Sequence, residues 1–555
     1  MRYFRQTLHP QTTFFKSEEY SKEPLKVTET PQTPQYRNIT MPIGSGQFKS
    51  WLANLMYINE EKAPSSDSLS SAINVLKGKA QQEGKQYTLF NRVAPAEDGI
   101  WLDMADNNWR AIKITKEGWK IEKNPPILFK RYSHQQPLIE PLDPEEGDAN
   151  KIFDYVNLKQ GESTKLAFIC SHISYWIPLI AHPSIVVSGP QGSTKSWLFM
   201  LLRKISDPSS IELLTIPRDE SELAQQLEHH WLTPYDNISY LPTWASDMLC
   251  RAITGGGIAV RKLYSDDDDI ILQFKRCVLL NGINIAAQKG DLLDRAIIFT
   301  LEPLAQNKRK SEADLNKDFN NDKAKIFTGY LNVLSKALSY YPEIKEKFKN
   351  LQRLADFNLY GCAIAKALGK TPEDFISAYA EKVTQQTEEA LNADPVALAI
   401  LKFCSKEVKG NIKTTLDGQL KDCWEGQPSD LYVKVSNYAQ QLGTDIKSKK
   451  WPKSANALTR RINAVSAALK AIGVEIESTP GTPRKININV SELKGEVEEK
   501  IVSIHALDVS TFLEMCWKCQ NKKPLAYEVT TLKGKHYVCN DCAEPIFNEN
   551  QSEDA

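Results

Sequence analysis

The 555-residue chain lacks an excess of charge of either sign, with 69 Lys and Arg against 69 Asp and Glu. No whole-molecule field draws it to nucleic acid or to a membrane, and any such partner must be met by a local patch. No secretory leader is expected from the opening MRYFRQTLHPQTTFF, which has no long apolar stretch and no small-residue cleavage site. There is no clean membrane span either. The most apolar stretch, Leu166 to Val187, is broken by His172, Pro178, His182 and Pro183. It reads as a buried helix followed by a buried strand. Six of the ten cysteines stand singly, which argues against a disulfide framework and points to a reducing, cytoplasmic compartment. No repeat of solenoid period occurs.

The pattern that is present divides the chain into six parts. Residues 1–38, rich in Thr, Pro, Lys and Glu without apolar period, read as a disordered arm. Residues 39–150 combine a helical pattern (Ser68 to Gln82) with alternating strands such as GIWLDMADNNWRAIKIT, an α+β domain. From 151 to 305, strand-length and helix-length apolar runs alternate, the signal of a parallel α/β sheet. Residues 306–400 read as consecutive amphipathic helices, 401–495 as a small mixed domain, and 496–555 as a Cys-paired module with an acidic tail.

The sharpest local signal is SIVVSGPQGSTKSWLFMLLRKI. A β-branched run feeds the loop from Gly189 through Gly192, Ser193 and Thr194 to Lys195 and Ser196, and an apolar helix follows. This order suits phosphate: backbone N–H groups and the helix start surround the anion, Lys195 reaches the β and γ phosphates of ATP, and the Ser196 hydroxyl holds Mg²⁺. Thr194 stands where the usual pattern has a second glycine. Threonine tolerates positive φ poorly, so the loop is expected to be altered there. Asp236, ending the short run before it, is the candidate second Mg²⁺ ligand; its alternative is a turn residue. Pro234 makes that run an imperfect central strand. Asn237 follows where many such ATPases carry Glu, and it can orient a water but cannot take its proton. Asn281 ends the strand FKRCVLLNGIN, within reach of a γ-phosphate or lytic water. Arg295 precedes another apolar strand, placed to stabilise phosphoryl charge on a neighbouring subunit. Taken singly, a turn explains Asn281 and a salt bridge explains Arg295; their order favours the ATPase roles.

Between Asp236 and Asn281 the sequence RAITGGGIAVRKLYSDDDDIILQFKRCVLLNGIN resembles the superfamily 3 helicases of viruses and plasmids, and primase-helicases among them. The matching residues are Thr254, Gly255 and Gly256, then Arg261, Lys262 and Tyr264, then Asn281. Residues from about 46 to about 400 look like ATP-binding proteins of prophages and integrated elements, in which a non-Gly residue before the Lys and an Asp-Asn pair are normal. The resemblance implies an AAA+-like core and a hexameric ring. It also implies a basic hairpin that holds single-stranded DNA through Arg261, Lys262 and, by extension, Lys275 and Arg276. Gly257 replaces the family's Asp, so a role resting on that Asp is not carried over.

Downstream, SDLYVKVSNYAQQLG suggests a strand and a helix. A second helix then carries Thr459, Arg460 and Arg461, with Lys453 leading into it and a β-wing near Arg484 and Lys485. The segment is similar to the winged-helix domain that follows primase-helicase cores, which implies duplex DNA as its partner. Cys516-x-x-Cys519 and Cys539-x-x-Cys542 fit a four-thiolate Zn²⁺ site.

The expected fold is therefore multidomain α/β: a P-loop, AAA+-like ATPase core with an α+β N-terminal domain, a helical lid, a winged helix and a zinc ribbon. The expected function is an ATP-dependent helicase or translocase replicating a mobile element. Two alternatives stand beside it. One is an ATP-switched origin binder or loader. The other is a primase-helicase using Asp98, Asp103 and Asp106, although a spacing of three does not put the last two on one strand face.

Overall fold

The computed structural model describes residues 14–15 and 41–539, leaving out 84–86, 160, 191, 262–268, 274, 283–289, 304–310, 350–352, 393, 410–411, 415–419, 449–450, 480–484, 492–500, 507–512, 516–521 and 532–533. The chain forms two compact units, 1–386 and 387–555. Of the expected N-terminal arm only β1 (Phe14–Phe15) is described, paired with β2 (Met41–Pro42). Among the described residues no helix is long and apolar enough to cross a membrane.

In the first unit, α1 (Gly46–Glu60) and α2 (Ser66–Glu83) close a small core of Ile43, Phe48 and Ile73. Next come β3 (Leu89–Phe90), an antiparallel meander of β4 (Val93–Pro95), β5 (Gly99–Asp103), β6 (Arg110–Thr115) and β7 (Gly118–Lys123), and then β8 (Leu128–Phe129), which lies parallel to β3. The apolar stretch resolves as expected into a buried helix, α3 (Glu162–Ser174), and a buried strand, β9 (Ser184–Ser188). The chain continues through α4 (Lys195–Ser206), α5 (Glu220–His229), β10 (Leu232–Ile238), α6 (Thr243–Thr254), the antiparallel hairpin β11 (Gly257–Arg261) and β12 (Asp269–Gln273), β13 (Cys277–Gly282), the single turn α7 (Gly290–Leu293) and β14 (Ala296–Thr300). A four-stranded parallel sheet results, in the order β10-β13-β9-β14. Pro234 is tolerated because β10 is its edge strand, where one missing N–H breaks no central ladder.

Three helices follow: α8 (Glu312–Lys347), α9 (Ala355–Ala367) and α10 (Pro372–Asn392). The sequence sets the N-terminal domain, ATPase core and helical lid apart, yet one hydrophobic core runs from Val93 in the meander through Val187 and Phe299 in the parallel sheet to Tyr330, Phe357 and Tyr379 in the helices. Helix α8 is pinned to the meander by hydrogen bonds from Trp119 Nε1 to Asn332 Oδ1 (2.9 Å) and from Ser335 Oγ to the Thr115 carbonyl (2.7 Å). Gly329 lets α8 pack tightly on the segment at Asp148 and Ala149, since a Cβ there would lie 2.2 Å from the Ala149 nitrogen.

The second unit has its own core around α11 (Pro395–Phe403), α12 (Pro428–Gln441) and α13 (Ala455–Ala471). The sequence ends the helical lid at 400, whereas α11 packs into this second core. A sheet of β15 (Ile412–Thr414), β16 (Leu420–Gly426), β17 (Val474–Thr479) and β18 (Lys485–Val490) runs in the order β15-β16-β18-β17. The strand expected at Leu431–Val435 is instead the start of α12. Pro428 at the first turn and reciprocal capping between Gln427 and Asp430 outweigh the local alternation. Last come β19 (Ile501–Ala506), β20 (Leu513–Met515), β21 (Lys522–Thr531) and β22 (Gly534–Cys539), with β21 central.

A buried polar seam ties the meander to the parallel sheet. Arg92 donates through Nε to Asp207 (2.9 Å), and the same carboxylate accepts from the N–H groups of Trp231 and Leu232, both at 3.1 Å. Burial raises the Asp207 pKa, but Arg92 and Arg203 outweigh it and hold the carboxyl below its ordinary value. Alongside, the rings of His134 and His230 stack at 3.9 Å, and Arg203 meets His230 Nδ1 at 2.6 Å. Burial holds His134 down at about 4 and His230 at about 2, the latter helped by Arg203. Both folded-state values lie below the unfolded histidine value of about 6.5. The stabilisation from keeping these rings neutral is therefore complete above about pH 6.5 and is lost as pH falls toward the folded values. Urea melts of the full chain should show stability falling from pH 6.5 to 4.5, with a shallower fall in His134→Gln; identical slopes would exclude the seam as the cause.

Candidate nucleotide site and nucleic-acid surfaces

Ligands of open parallel sheets gather beyond the carboxyl ends of the strands, and three such ends carry the expected residues here. The loop leaving β9 turns through Gly189 (φ 148°) and Gly192 (φ 81°) into α4. At Gly189 a Cβ would meet Ser193 Oγ at 2.7 Å and the Leu301 carbonyl at 2.8 Å, which explains the glycine. The altered loop expected at Thr194 is not found. Thr194 takes the left-handed conformation itself (φ 61°), and its carbonyl accepts the Leu198 N–H that starts α4. For a β-branched residue this costs about 1–2 kcal/mol, which the surrounding turn sustains.

Lys195, the first residue of α4, folds its ammonium onto the carbonyls of Gly189 and Pro190, each at 2.8 Å. Burial lowers its pKa and Asp236 opposes the shift. Ser196 Oγ donates to Asp236 Oδ2 at 2.7 Å. The other carboxylate oxygen, Oδ1, accepts from Asn281 Nδ2. One carboxylate thus joins the loop after β9, the edge strand β10 and the end of β13, and the turn alternative for Asp236 falls away. Asn281 Oδ1 is buried with no hydrogen-bond partner among the described residues, an acceptor of the kind a bound water satisfies.

Asn237 is exposed at φ 54°, in a bulge where the β10 register shifts between Tyr235 and Ile238. Asparagine suits that conformation better than most residues. Arg295 is half-way to its salt-bridge alternative: its guanidinium is paired with Asp291, four residues back, and Arg353 bonds to Asp291 and Asp294. The sequence reading missed Asp291, although its i,i+4 spacing is a usable signal.

The expected basic hairpin is formed by β11 and β12, with Arg261 opposite Asp269; Lys262 lies outside the described residues. Lys275 is not on a free face, since its ammonium donates to the Leu179 carbonyl. Arg276 is a correction. It is buried beneath Trp231, with its guanidinium on the carbonyls of Leu227, Lys275 and Glu228, and it holds the end of α5 instead of facing nucleic acid.

In the second unit Lys453 caps the carbonyls of Ile446 (3.0 Å) and Lys447 (2.7 Å), Arg461 pairs with Asp394, and Arg460 is exposed. Of the thiols, Cys516, Cys519 and Cys542 lie outside the described residues and Cys539 ends β22. The carboxylates weighed for primer synthesis all have basic partners: Asp103 with Arg131, Asp106 with Arg110, and Asp98 with Lys113.

Among solved structures the chain is similar to the apo C-terminal region of NrS-1 (12% identity, 69% of this chain and 94% of that one, TM-score 0.28). It is also similar to the JCV helicase bound to a thiazolopyridine compound (10% identity, 39% and 68%, TM-score 0.20). Both scores are too low to define a shared fold. No curated protein matches the chain. Residues 150–382 match the model of the actinomycete integrative conjugative element replication protein, and residues 396–500 match the model of that protein's C-terminal domain. Two consecutive models of one family thus match, and over these residues the chain is similar to the replication proteins of integrative conjugative elements.

Proposed function

We propose that the chain is a Mg²⁺-dependent ATPase that moves on DNA as a ring of identical subunits during replication of its element. The observation that carries this reading is the Ser196–Asp236–Asn281 constellation beside the Gly189–Ser196 loop. Ser196 and Asp236 are the residues that would hold Mg²⁺, which supplies charge stabilisation to a transferring phosphoryl group. Lys195 exchanges the loop carbonyls for phosphate oxygens of ATP. Asn281 fixes Asp236 with its amide and offers its unpartnered Oδ1 to the attacking water. Arg295, released from Asp291 on ring assembly, is the group offered to the neighbouring nucleotide. Arg261 and Lys262 are the proposed contacts to single-stranded DNA, and the second unit binds duplex through α13 and the β17–β18 wing.

Asn237 favours a second reading, an ATP-held switch or loader with little turnover, because no carboxylate follows Asp236 to take a proton from water. ATP turnover with no DNA, single strands and duplex separates the two. The motor is expected to be stimulated by DNA and to lose roughly 10²–10³-fold in Lys195→Ala. Tight ATP binding with no turnover under any condition would leave the switch.

A structural Zn²⁺ held by Cys516, Cys519, Cys539 and Cys542 completes the proposal. Strand register supports it: Met515 at the end of β20 pairs with Lys522 at the start of β21, and Cys539 pairs with Leu525 three residues further along β21. Met515, just before the first pair, and Cys539, the first thiol of the second, therefore lie at the same end of β21. Purified chain should release about one equivalent of zinc on thiol modification, and Cys519→Ser should reduce the metal content; a chain free of zinc would refute the site.

A further inference from the structure

Helix α13 is amphipathic in an unusual way. Leu458, Ile462 and Leu469 are buried and Val465 packs beside them. At about 100° per residue, Asn456, Arg460 and Asn463 fall on the opposite side, within an arc of roughly 60°. All three are exposed, and their side chains have no partner among the described residues. The neighbouring basic groups are engaged: Arg461 with Asp394, Lys470 with Glu475 and Lys453 with the loop carbonyls. Residues 442–471 hold seven Lys and Arg against the single Asp445, in a chain whose charges balance overall.

We propose that Asn456, Arg460 and Asn463 read base edges in the major groove of duplex DNA, with Lys447 facing the phosphates. The proposal rests on the reading of the second unit as a duplex binder and adds which face does the reading and what it reads. Chemistry selects the occupant. A planar guanidinium matches the O6 and N7 acceptors of guanine, and a carboxamide matches the donor and acceptor of adenine. The three side chains span about 10 Å of helix axis, the rise of roughly three base pairs. The local cationic excess supplies the sequence-independent attraction to phosphate. Arg461, tied to Asp394, positions α13 against α11 and does not read bases.

The test selects preferred sites for the full-length protein from a randomised duplex pool. Affinities for the preferred duplex and its single mismatches are then compared at fixed salt for wild type, Arg460→Ala, Arg460→Lys, Asn463→Ala and Arg461→Ala. Arg460→Ala is expected to weaken the preferred site roughly 10- to 100-fold and to erase discrimination at one G·C position. Arg460→Lys should restore general affinity but not that discrimination, and Arg461→Ala should keep the sequence preference. Thermal unfolding, unchanged in the exposed variants, controls for folding. Equal loss on every sequence would make Arg460 a phosphate contact and overturn base reading, as would no change at all. Failure of the wild type to bind any duplex would remove the underlying duplex-binding reading too, and is distinct because it precedes every substitution.

Discussion

The carboxylate of Asp236 is the joint on which the rest of the site depends. It receives the Ser196 hydroxyl from the start of α4 and the Asn281 amide from the end of β13, while sitting on the edge strand β10. Three segments far apart in sequence are brought to one point by a parallel sheet whose strands end together. Removing the carboxylate would leave a hydroxyl and a buried amide without their partner, at the place where phosphate chemistry needs fixed geometry.

The frame that holds this joint is larger than a nucleotide-binding domain. The meander, the parallel sheet and helices α8 to α10 share one core, and the Arg92–Asp207 pair fastens two of these layers through a buried polar seam. Helix α8 is pinned to β6 and β7 by the Ser335 and Trp119 hydrogen bonds.

Much of this was legible in the sequence where chemistry is local. A β-branched run, a glycine loop and a Lys-Ser helix start mark the β9–α4 turn of the proposed phosphate site, and Asp236 and Asn281 follow from strand ends alone. Burial was less legible. Arg276 reads as a pore cation, yet it lies under Trp231 capping α5, because sequence does not show which backbone carbonyls lack partners. The alternation at Leu431–Val435 mimics a strand until Pro428 and the capping pair decide for helix. Thr194 shows the limit of propensity: the turn requires a left-handed residue, and threonine complies at a cost. The shared core could not be read at all, since it is assembled from contacts more than a hundred residues apart, such as Trp119 with Asn332.

The measurement that tests the central claim most directly is ATP affinity as a function of Mg²⁺ concentration, by equilibrium fluorescence with a labelled ATP, for wild type and Asp236→Asn. If Asp236 and Ser196 form the metal end of a phosphate site, wild-type affinity rises with Mg²⁺ and the substitution flattens that rise while keeping the fold. Identical Mg²⁺ dependence in both proteins would contradict it.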